Sequence, residues 1–544
     1  MIFKNPLKYL NQLYKDFLNQ LRNIYLNSNI YDRKISKIHN DKLEYKPSPY
    51  LLSSLIKYQA KKFKVDDLSP ETLWSQKNIN NKEFRKLNNF FWFFSLDLKS
   101  SKNTTQTIVH NWIKNNYKYN SKSWEFDITA KRIIALLSNY HLTYENSDKA
   151  YQDNFNGIIQ KQANHLSQEI NKSKSIEDKI IGCASIILVG LCYQNEKNYL
   201  SYGLDALKKV TNTSIDNQGF PKSRSFKQLI FYLKYFILIR EWIKESQNLI
   251  PEFIDETIYY LGQGYAFMWQ NIGNDLLFNG NNQSNNIEFD QYLKRLGYKF
   301  SNQSNDFSGY SILKNKKISL IMDIGPSPSK DFSKEYQSGA LSFEIISNNK
   351  KLISNCGYYN GNNIKLNELS RSTATHSTLI IEDYSSCKFS KNTKSKFEVE
   401  KGLKILKKNI VHEKNYWKIN ASHDGYLKQF NSIHEREIEF YPEQFKFVGD
   451  DKIIKKNSDK KLKFDIRFHL EPNLKVMKTQ DKKAILIDLE DEGWKFTCDN
   501  FDINIDNGLY FGNKNSYTEN QNIFISGFIA SEIETIKWEL TKLR

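Results

Sequence analysis

Five cysteines in 544 residues, Cys183, Cys192, Cys356, Cys387 and Cys498, are odd in number and widely spaced. That excludes a disulfide framework, and without any CxxC pair it argues against a thiolate zinc site. They read as lone buried thiols. Only 10 Pro and 22 Gly exclude collagen-like and Pro-rich linker architectures. No stretch approaches 18 consecutive apolar residues, so no membrane-crossing helix is expected. There is no Walker A motif, no GxGxxG and no nucleic-acid module. The first thirty residues show neither an uninterrupted apolar h-region nor a small-residue cleavage site.

What is present is apolar and basic. Hydrophobic residues make up 39% and aromatic residues 14%, enough to bury a sizeable core. The length predicts two or three domains. Lys and Arg number 79 against 61 Asp and Glu, a net charge of +18. The abundance of Asn, Lys and Ile matches AT-rich coding, so part of that charge reflects codon bias. A dispersed positive balance suits an acidic polysaccharide, DNA or lipid equally well.

The apolar periodicity changes near residue 300. Within the first thirty residues Leu7, Leu10, Leu13, Phe17, Leu18 and Leu21 recur at helical spacing, and this amphipathic helix is expected to pack on the rest of the protein, with an anionic lipid surface as the alternative. Spacings of three and four then predict helices over 84–98, 130–141, 158–170, 176–192, 199–210, 227–243 and 250–272. Short connections imply antiparallel pairs, and no fixed-length repeat marks a solenoid. After residue 305, alternation predicts strands at 309–313, 318–323, 341–346, 351–354, 377–382, 397–400, 416–421, 436–440, 464–470, 484–489, 493–497 and 523–528. Asn348-Asn349, Asp450-Asp451 and Asp506-Asn507-Gly508 read as turns between them, and the Asn-rich run from Phe278 as a linker or turn. Basic runs at 314–317 and 455–463 read as hairpin loops. Many short strands imply an antiparallel sandwich. The expected division is an N-terminal helical segment (1–84), a helical domain (85–300) and a β-sandwich domain (301–544).

Specific phrases narrow this layout. Ile321-Met-Asp-Ile-Gly-Pro-Ser-Pro, Gly339-Ala-Leu-Ser-Phe-Glu, Ile353-Ser-Asn-Cys-Gly and Arg371-Ser-Thr-Ala-Thr-His-Ser-Thr-Leu occur in that order. Ser422-His-Asp-Gly-Tyr, Ile433-His-Glu-Arg and Ile466-Arg-Phe-His-Leu-Glu-Pro follow. The set resembles the bacterial heparinase II/III-like family, and Trp124 to Arg132 and Ala163 to Glu169 are similar to its helical-domain motifs. The resemblance is strongest over 305–500. It implies an incomplete α/α toroid followed by an antiparallel β-sandwich, with a cleft between them, and β-elimination of uronate-containing polysaccharides. That chemistry needs a group to neutralise the uronate carboxylate, a base for the C5 proton and an acid for the leaving O4.

The resemblance assigns catalytic roles to Asn164, His165, His376 and Glu335. Asn164 would hydrogen-bond the uronate and His165 assist, unless the two merely pack between helices. Glu169, one turn on, would orient His165 or be a solvated carboxylate. His376 stands where the family keeps a metal-site histidine; the alternative is a core histidine between strands. Glu335-Tyr-Gln-Ser-Gly-Ala-Leu-Ser-Phe343 departs from the family's His-x-His-x-Asp-x-Gly-Ser-Phe. Glu335 thus replaces the catalytic histidine, and Gln337 a metal-binding one. A third ligand, an Asp in the family, falls near Ser354 or Asn355. The zinc or calcium site is therefore expected to be degraded, with no metal and no other cofactor.

Arg224, Arg371, Gln337, His423, Tyr426 and His434 are assigned to substrate binding. The family's catalytic Tyr segment corresponds to Ser223–Gln228, which has no Tyr; Tyr232 and Tyr235 lie further along. His423 and His434 are spaced to meet across adjacent strands, with Asp424 to orient either ring as a new metal or acid/base centre; the alternative is a turn at Asp424-Gly425, with Arg436 pairing with Glu435 or Glu437. His469 reads as structural. The expected partner is an acidic polysaccharide rather than nucleic acid, and a lyase is weighed against a glycan-binding or cell-envelope protein without catalysis. The resemblance implies the envelope or periplasm; the sequence alone allows the cytoplasm.

Overall fold

The computed structural model describes residues 6–37, 42–56, 69, 73–74, 79–173, 175–193, 199–284, 286–391, 397–456, 461–513 and 515–543. The helical half contains α1 (Pro6–Leu26), α2 (Asn29–Ile35), α3 (Pro49–Ile56), α4 (Asn81–Asn88), α5 (Lys102–Asn116), α6 (Phe126–Ser138), α7 (Lys149–Glu169), α8 (Ile176–Cys192), α9 (Tyr199–Ser214), α10 (Phe226–Glu245) and α11 (Glu252–Tyr265). The first strand begins at Asp306, so the change from helix to strand falls where the periodicity changes. Contacts divide the chain differently. One compact unit is Met1–Thr213 with Phe231–Ile258, and the other is Ser214–Ile230 with Tyr259–Arg544. The second unit thus takes in the first turn of α10 along with the strands.

In the first unit, sequence signals act locally. Asn80 and Glu83 form a reciprocal capping box at the start of α4, and Asp148 caps α7 through the Tyr151 amide. Phe90, at φ 57°, interrupts the helix expected over 84–98 and starts a short 3-10 turn at Phe91. Buried apolar faces of α6, α7 and α8 pack together, and Arg132 of α6 is wholly enclosed. Its guanidinium donates to the Asn88 and Ser123 carbonyls at 2.8 and 2.9 Å and lies 4.1 Å from the Trp112 ring. The packing expected of α1 is not found: Leu13, Phe17, Leu18, Leu21 and Ile24 are exposed.

In the second unit two antiparallel sheets enclose one core. The first runs, by neighbours, Asp306–Phe307, Tyr310–Lys314, Ile318–Asp323, Phe343–Ser347, Lys350–Ser354, Leu462–Leu470, Thr518–Ile529 and Ile503–Tyr510, with Leu379–Ile381 also on Leu462–Leu470. The second runs Lys475–Lys478, Ala484–Leu489, Glu492–Cys498, Ile533–Lys542, Lys446–Lys455, Ser432–Tyr441, Trp417–His423 and Ile405–His412. Phe343 of one sheet stacks on Trp538 of the other at 5.6 Å, and Phe468 meets Phe496 at 4.8 Å. Asn348 and Asn349, at φ 45° and 64°, make the two-residue hairpin turn their sequence predicts.

Two turn readings fail. Asp450-Asp451 lies inside the strand Lys446–Lys455, and Asp506-Asn507-Gly508 inside Ile503–Tyr510. Asp451 tolerates the core because cations and donors surround it, as described below. The Asn-rich segment from Phe278 is a turn, closed by the Asn281 amide donating to the Phe278 carbonyl at 3.1 Å, and not a linker. Asn279, Asn281 and Asn282 are buried. Asn281 Nδ2 donates to the Leu276 carbonyl at 2.5 Å, and Asn282 Nδ2 to those of Tyr358 and Phe511 at 2.5 and 2.9 Å. Side-chain amides here satisfy main-chain groups that no ladder reaches. The basic run at 314–317 is the hairpin loop it reads as, whereas 457–460 of the second run lie outside the described residues.

Candidate functional site

The residues expected to do chemistry divide sharply by exposure. His165, His376, Arg224, Arg371, Gln337, His423, Tyr426 and His434 are buried, while Asn164 and Glu335 are partly exposed.

In the first unit, Asn164 faces the end of α2. Its Nδ2 donates to the Ile35 and Lys37 carbonyls at 2.8 and 3.1 Å, and its Oδ1 accepts from Tyr199 at 2.6 Å. The amide thereby satisfies carbonyls that a helix end leaves open. His165 sits among the Tyr31, Tyr119 and Trp124 rings, with Nδ1 2.8 Å from the Tyr31 hydroxyl. Burial, reinforced by Arg22, holds its pKa down to about 3, so the ring is neutral. Glu169 pairs with Arg22 of α1 and, at 2.9 Å, with Lys172. Tyr232 and Tyr235 of α10 are both buried.

In the second unit, Arg224 enters a polar cluster built by the turn before α10. Its backbone is left-handed, at φ 61°. The guanidinium donates to Asp323 Oδ1 and to the Gly309 carbonyl, each at 2.8 Å, and stacks 4.7 Å from the Tyr310 ring. Asp323 also accepts from Asn279 at 3.1 Å. Burial opposes the Arg224 charge, but Asp323 more than offsets it and the pKa rises. Sequence reasoning named Arg224 and missed Asp323 and Asn279, whose only signals were an acid on an apolar strand and an Asn-rich run.

Arg371 is likewise spent within the fold. It donates to Asn367 at 3.1 Å, to the Tyr336 and Lys334 carbonyls at 3.1 and 2.6 Å, and to the Tyr358 hydroxyl at 2.6 Å. It pins the segment carrying Glu335 and Gln337. Gln337 Oε1 accepts from the Gly280 amide at 2.9 Å, and Nε2 donates to the Gly357 and Ser370 carbonyls at 2.9 and 2.6 Å. One side chain ties three loops together. Gly280, at φ 85°, lies so close that a Cβ would meet the Glu335 Cβ at 2.7 Å.

Glu335 itself reaches outward, 3.4 Å from Lys227 in the first turn of α10. Their side chains are 26% and 37% exposed, which makes this pair the accessible polar feature of the cluster. His376 lies behind it. Its Nδ1 donates to the Ser372 carbonyl at 2.9 Å, and Nε2 is buried without a hydrogen-bond partner. Burial holds its pKa down to about 4. Asn355 accepts from the Ser377 amide at 3.0 Å and donates to Glu344 at 3.2 Å. The three positions the family uses for a metal therefore offer one free imidazole nitrogen and two amide oxygens already engaged by backbone N–H groups. Zinc needs several imidazole, thiolate or carboxylate donors, and calcium a carboxylate-rich oxygen shell. This donor set fits neither.

His423, His434 and His469 belong to the sandwich interior. His423 and His434 are register partners whose rings lie 5.3 Å apart, as their spacing predicts. Asp424 orients neither; its carboxylate accepts from the Lys404 amide at 2.6 Å. His434 Nε2 is 2.7 Å from Asp451, and Arg436 grips the same carboxylate at 2.7 and 3.0 Å. Arg436 thus pairs with Asp451, not with Glu435 or Glu437. Trp538 Nε1 adds a bond at 3.0 Å. Burial raises the pKa of Asp451, and Arg436 and His434 reverse this and lower it. The reason is parity: 432–441 alternates buried and half-exposed, which sends His434 and Arg436 inward and Glu435 and Glu437 outward. Tyr426 donates to the Leu379 carbonyl at 2.9 Å. His469 bonds the Ala374 carbonyl at 2.9 Å and lies 3.2 Å from the Cys356 thiol, the structural role its alternation indicates. Among the described residues, no group of three His, Cys, Asp or Glu side chains is gathered as a metal-ligand set.

Residues 303–539 match the family model described as heparinase II/III-like, C-terminal. A heparinase III structure superposes with a TM-score of 0.69 at 16% identity, covering 100% of this chain and 92% of that one. A mutant of heparan sulfate lyase HepC from Pedobacter heparinus gives 0.69 at 12% identity, over 93% and 84%. Among curated proteins, FtsZ-localized protein C of Caulobacter vibrioides is 22% identical over 458 residues, 80% of this chain and 77% of that protein. The helical half followed by paired antiparallel sheets is the heparinase III fold, and residues 303–539 match a heparinase II/III-like C-terminal domain.

Proposed function

We propose that this chain is a heparinase-fold protein that holds an acidic, uronate-containing glycan without cleaving it and without a divalent metal. The observation behind this reading is the Glu335–Gln337 segment. Glu335 stands in the place of a base and is occupied by Lys227; Gln337 stands in the place of a metal ligand and is occupied by three main-chain groups. Abstraction of a C5 proton calls for the uronate charge to be neutralised, and a carboxylate beside the sugar adds charge of the wrong sign. In the second unit His376, His423, His434 and His469 are buried, so none is placed to meet a substrate. The +18 balance favours an anionic ligand. The curated relative, named for localisation with FtsZ, supports an FtsZ-associated setting over an external one.

A lyase reading has one observation in its favour: Glu335 is partly exposed, so its carboxylate is within reach of a ligand. The two readings separate in one experiment. The protein is incubated with several acidic polysaccharides while the ultraviolet absorbance of unsaturated uronate is followed, and binding of the same polymers is measured by calorimetry, with duplex DNA as a control polyanion. Binding without absorbance is the expected result. A rising absorbance that Glu335→Gln abolishes establishes the lyase instead.

A further inference from the structure

Helix α1 separates its residue types by side more cleanly than any buried helix of the chain requires. At 3.6 residues per turn, Leu7, Leu10, Leu13, Phe17, Leu21 and Ile24 fall within one arc, which Tyr14, Leu18 and Tyr25 widen to about 140°. Arg22, Lys15 and Lys8 take positions about 40–80° beyond one edge of that arc, and Asp16 is the helix's single acid. Such an arc normally faces a core. Here Leu13 is 49% exposed, Phe17 56%, Leu18 45%, Leu21 47% and Ile24 70%.

The helix is held at its C-terminal end. Arg22 pairs with Glu169 of α7, Leu26 is buried, and Tyr25 meets Tyr31 of α2 edge-on at 5.2 Å. The attachment fixes where the helix sits and leaves Leu13, Phe17, Leu18, Leu21 and Ile24 uncovered. A contiguous patch of large aliphatic and aromatic side chains marks an interaction surface, unlike single scattered ones.

We propose that α1 lies on an anionic lipid surface, with the face of Leu13, Phe17, Leu18, Leu21 and Ile24 in the acyl boundary. Charge favours this occupant: three basic residues against one acid in the helix, within a chain of net charge +18. The breadth of the arc favours it too. A protein groove reads a narrow stripe of anchors, whereas a membrane interface accepts a wide face with tyrosines at its edge. No described helix is long and apolar enough to cross a membrane, so the helix lies on the surface rather than spanning it. This inference does not rest on glycan binding.

The test is flotation of the full chain with vesicles of phosphatidylcholine alone and of equal parts phosphatidylcholine and phosphatidylglycerol. Binding to the anionic vesicles is expected, at least about tenfold weaker on the neutral ones and falling as salt rises. Phe17→Glu combined with Leu21→Glu reduces it about tenfold or more, with an unchanged thermal melt because both side chains are exposed. Lys8→Glu with Lys15→Glu weakens it several-fold. The proposal is overturned if the chain floats with neither vesicle, or if the Phe17/Leu21 variant binds as well as the parent. It is equally overturned if light scattering shows an oligomer that this variant converts to a monomer, since a second copy then covers α1.

Discussion

Two polar clusters in the second unit contain the same kinds of residues and have opposite fates. Arg436, His434 and Asp451 sit between the two sheets with no exposed side-chain surface. Lys227 and Glu335 sit at the start of α10, one-third and one-quarter exposed. In the first cluster every strong donor finds an acceptor inside the protein, so the charges specify how the sheets register. In the second the pair keeps contact with water and can exchange its partner for a ligand. Residue type does not separate a structural ion pair from a binding one; solvent access does.

The comparison can be broken most forcefully at Asp451. Asp451→Ala leaves Arg436 charged and unpaired in the core, and chemical denaturation is expected to show a loss of about 3–5 kcal/mol. A loss below about 1 kcal/mol would mean water reaches Arg436. Gln337→Ala comes next. It strands the Gly280 amide and the Gly357 carbonyl, while Ser370 keeps the Thr375 hydroxyl, for an expected cost of about 2–3 kcal/mol. Insertion of a metal-binding residue there, Gln337→His, is expected to destabilise as well and to confer no zinc binding in calorimetry.

Acid sharpens the contrast through the buried imidazoles. Burial is the main cause that holds His165 and His469 down to about 3 and His376 to about 4, against 6.5 when unfolded. Below pH 6.5 the unfolded chain takes up protons that the folded chain refuses. Their contribution to stability is therefore complete above pH 6.5 and is lost progressively down to the folded values. Each group adds a slope of at most about 1.4 kcal/mol per pH unit in that window. His165→Phe should flatten the pH dependence of the urea midpoint between pH 6 and 4, whatever it does at pH 7; an unchanged slope would show that the ring is charged in the native state. The smallest stability effect belongs to the exposed pair. Lys227→Ala is expected to cost no more than about 1 kcal/mol, yet to weaken binding of an acidic polysaccharide several-fold. Equal binding by both forms would move the glycan site elsewhere.

Legibility followed periodicity. The strands 318–323, 464–470 and 484–489 are found as predicted because their residues are β-branched and apolar. Lys446–Lys455 and Ile503–Tyr510 escaped because Asp, Asn and Gly interrupt them; only the neighbouring strands show that Asp451 has cationic partners. The absence of histidine from Glu335–Phe343 was legible in the sequence. The use made of Gln337 was not, because Gly280, Gly357 and Ser370 lie 57, 20 and 33 residues away from it in the chain.

By itself the sequence determined the succession of helices and strands, the likeness of its C-terminal half to a heparinase II/III-like domain and the absence of histidine from Glu335–Phe343, since each depends on residue identity and short-range spacing. Only the tertiary structure decided which polar residues face water. It enclosed Arg224, Arg371, His376 and His434, left Lys227 and Glu335 accessible, and kept the apolar arc of α1 uncovered. Burial depends on what distant segments place around a side chain, and no local pattern records that.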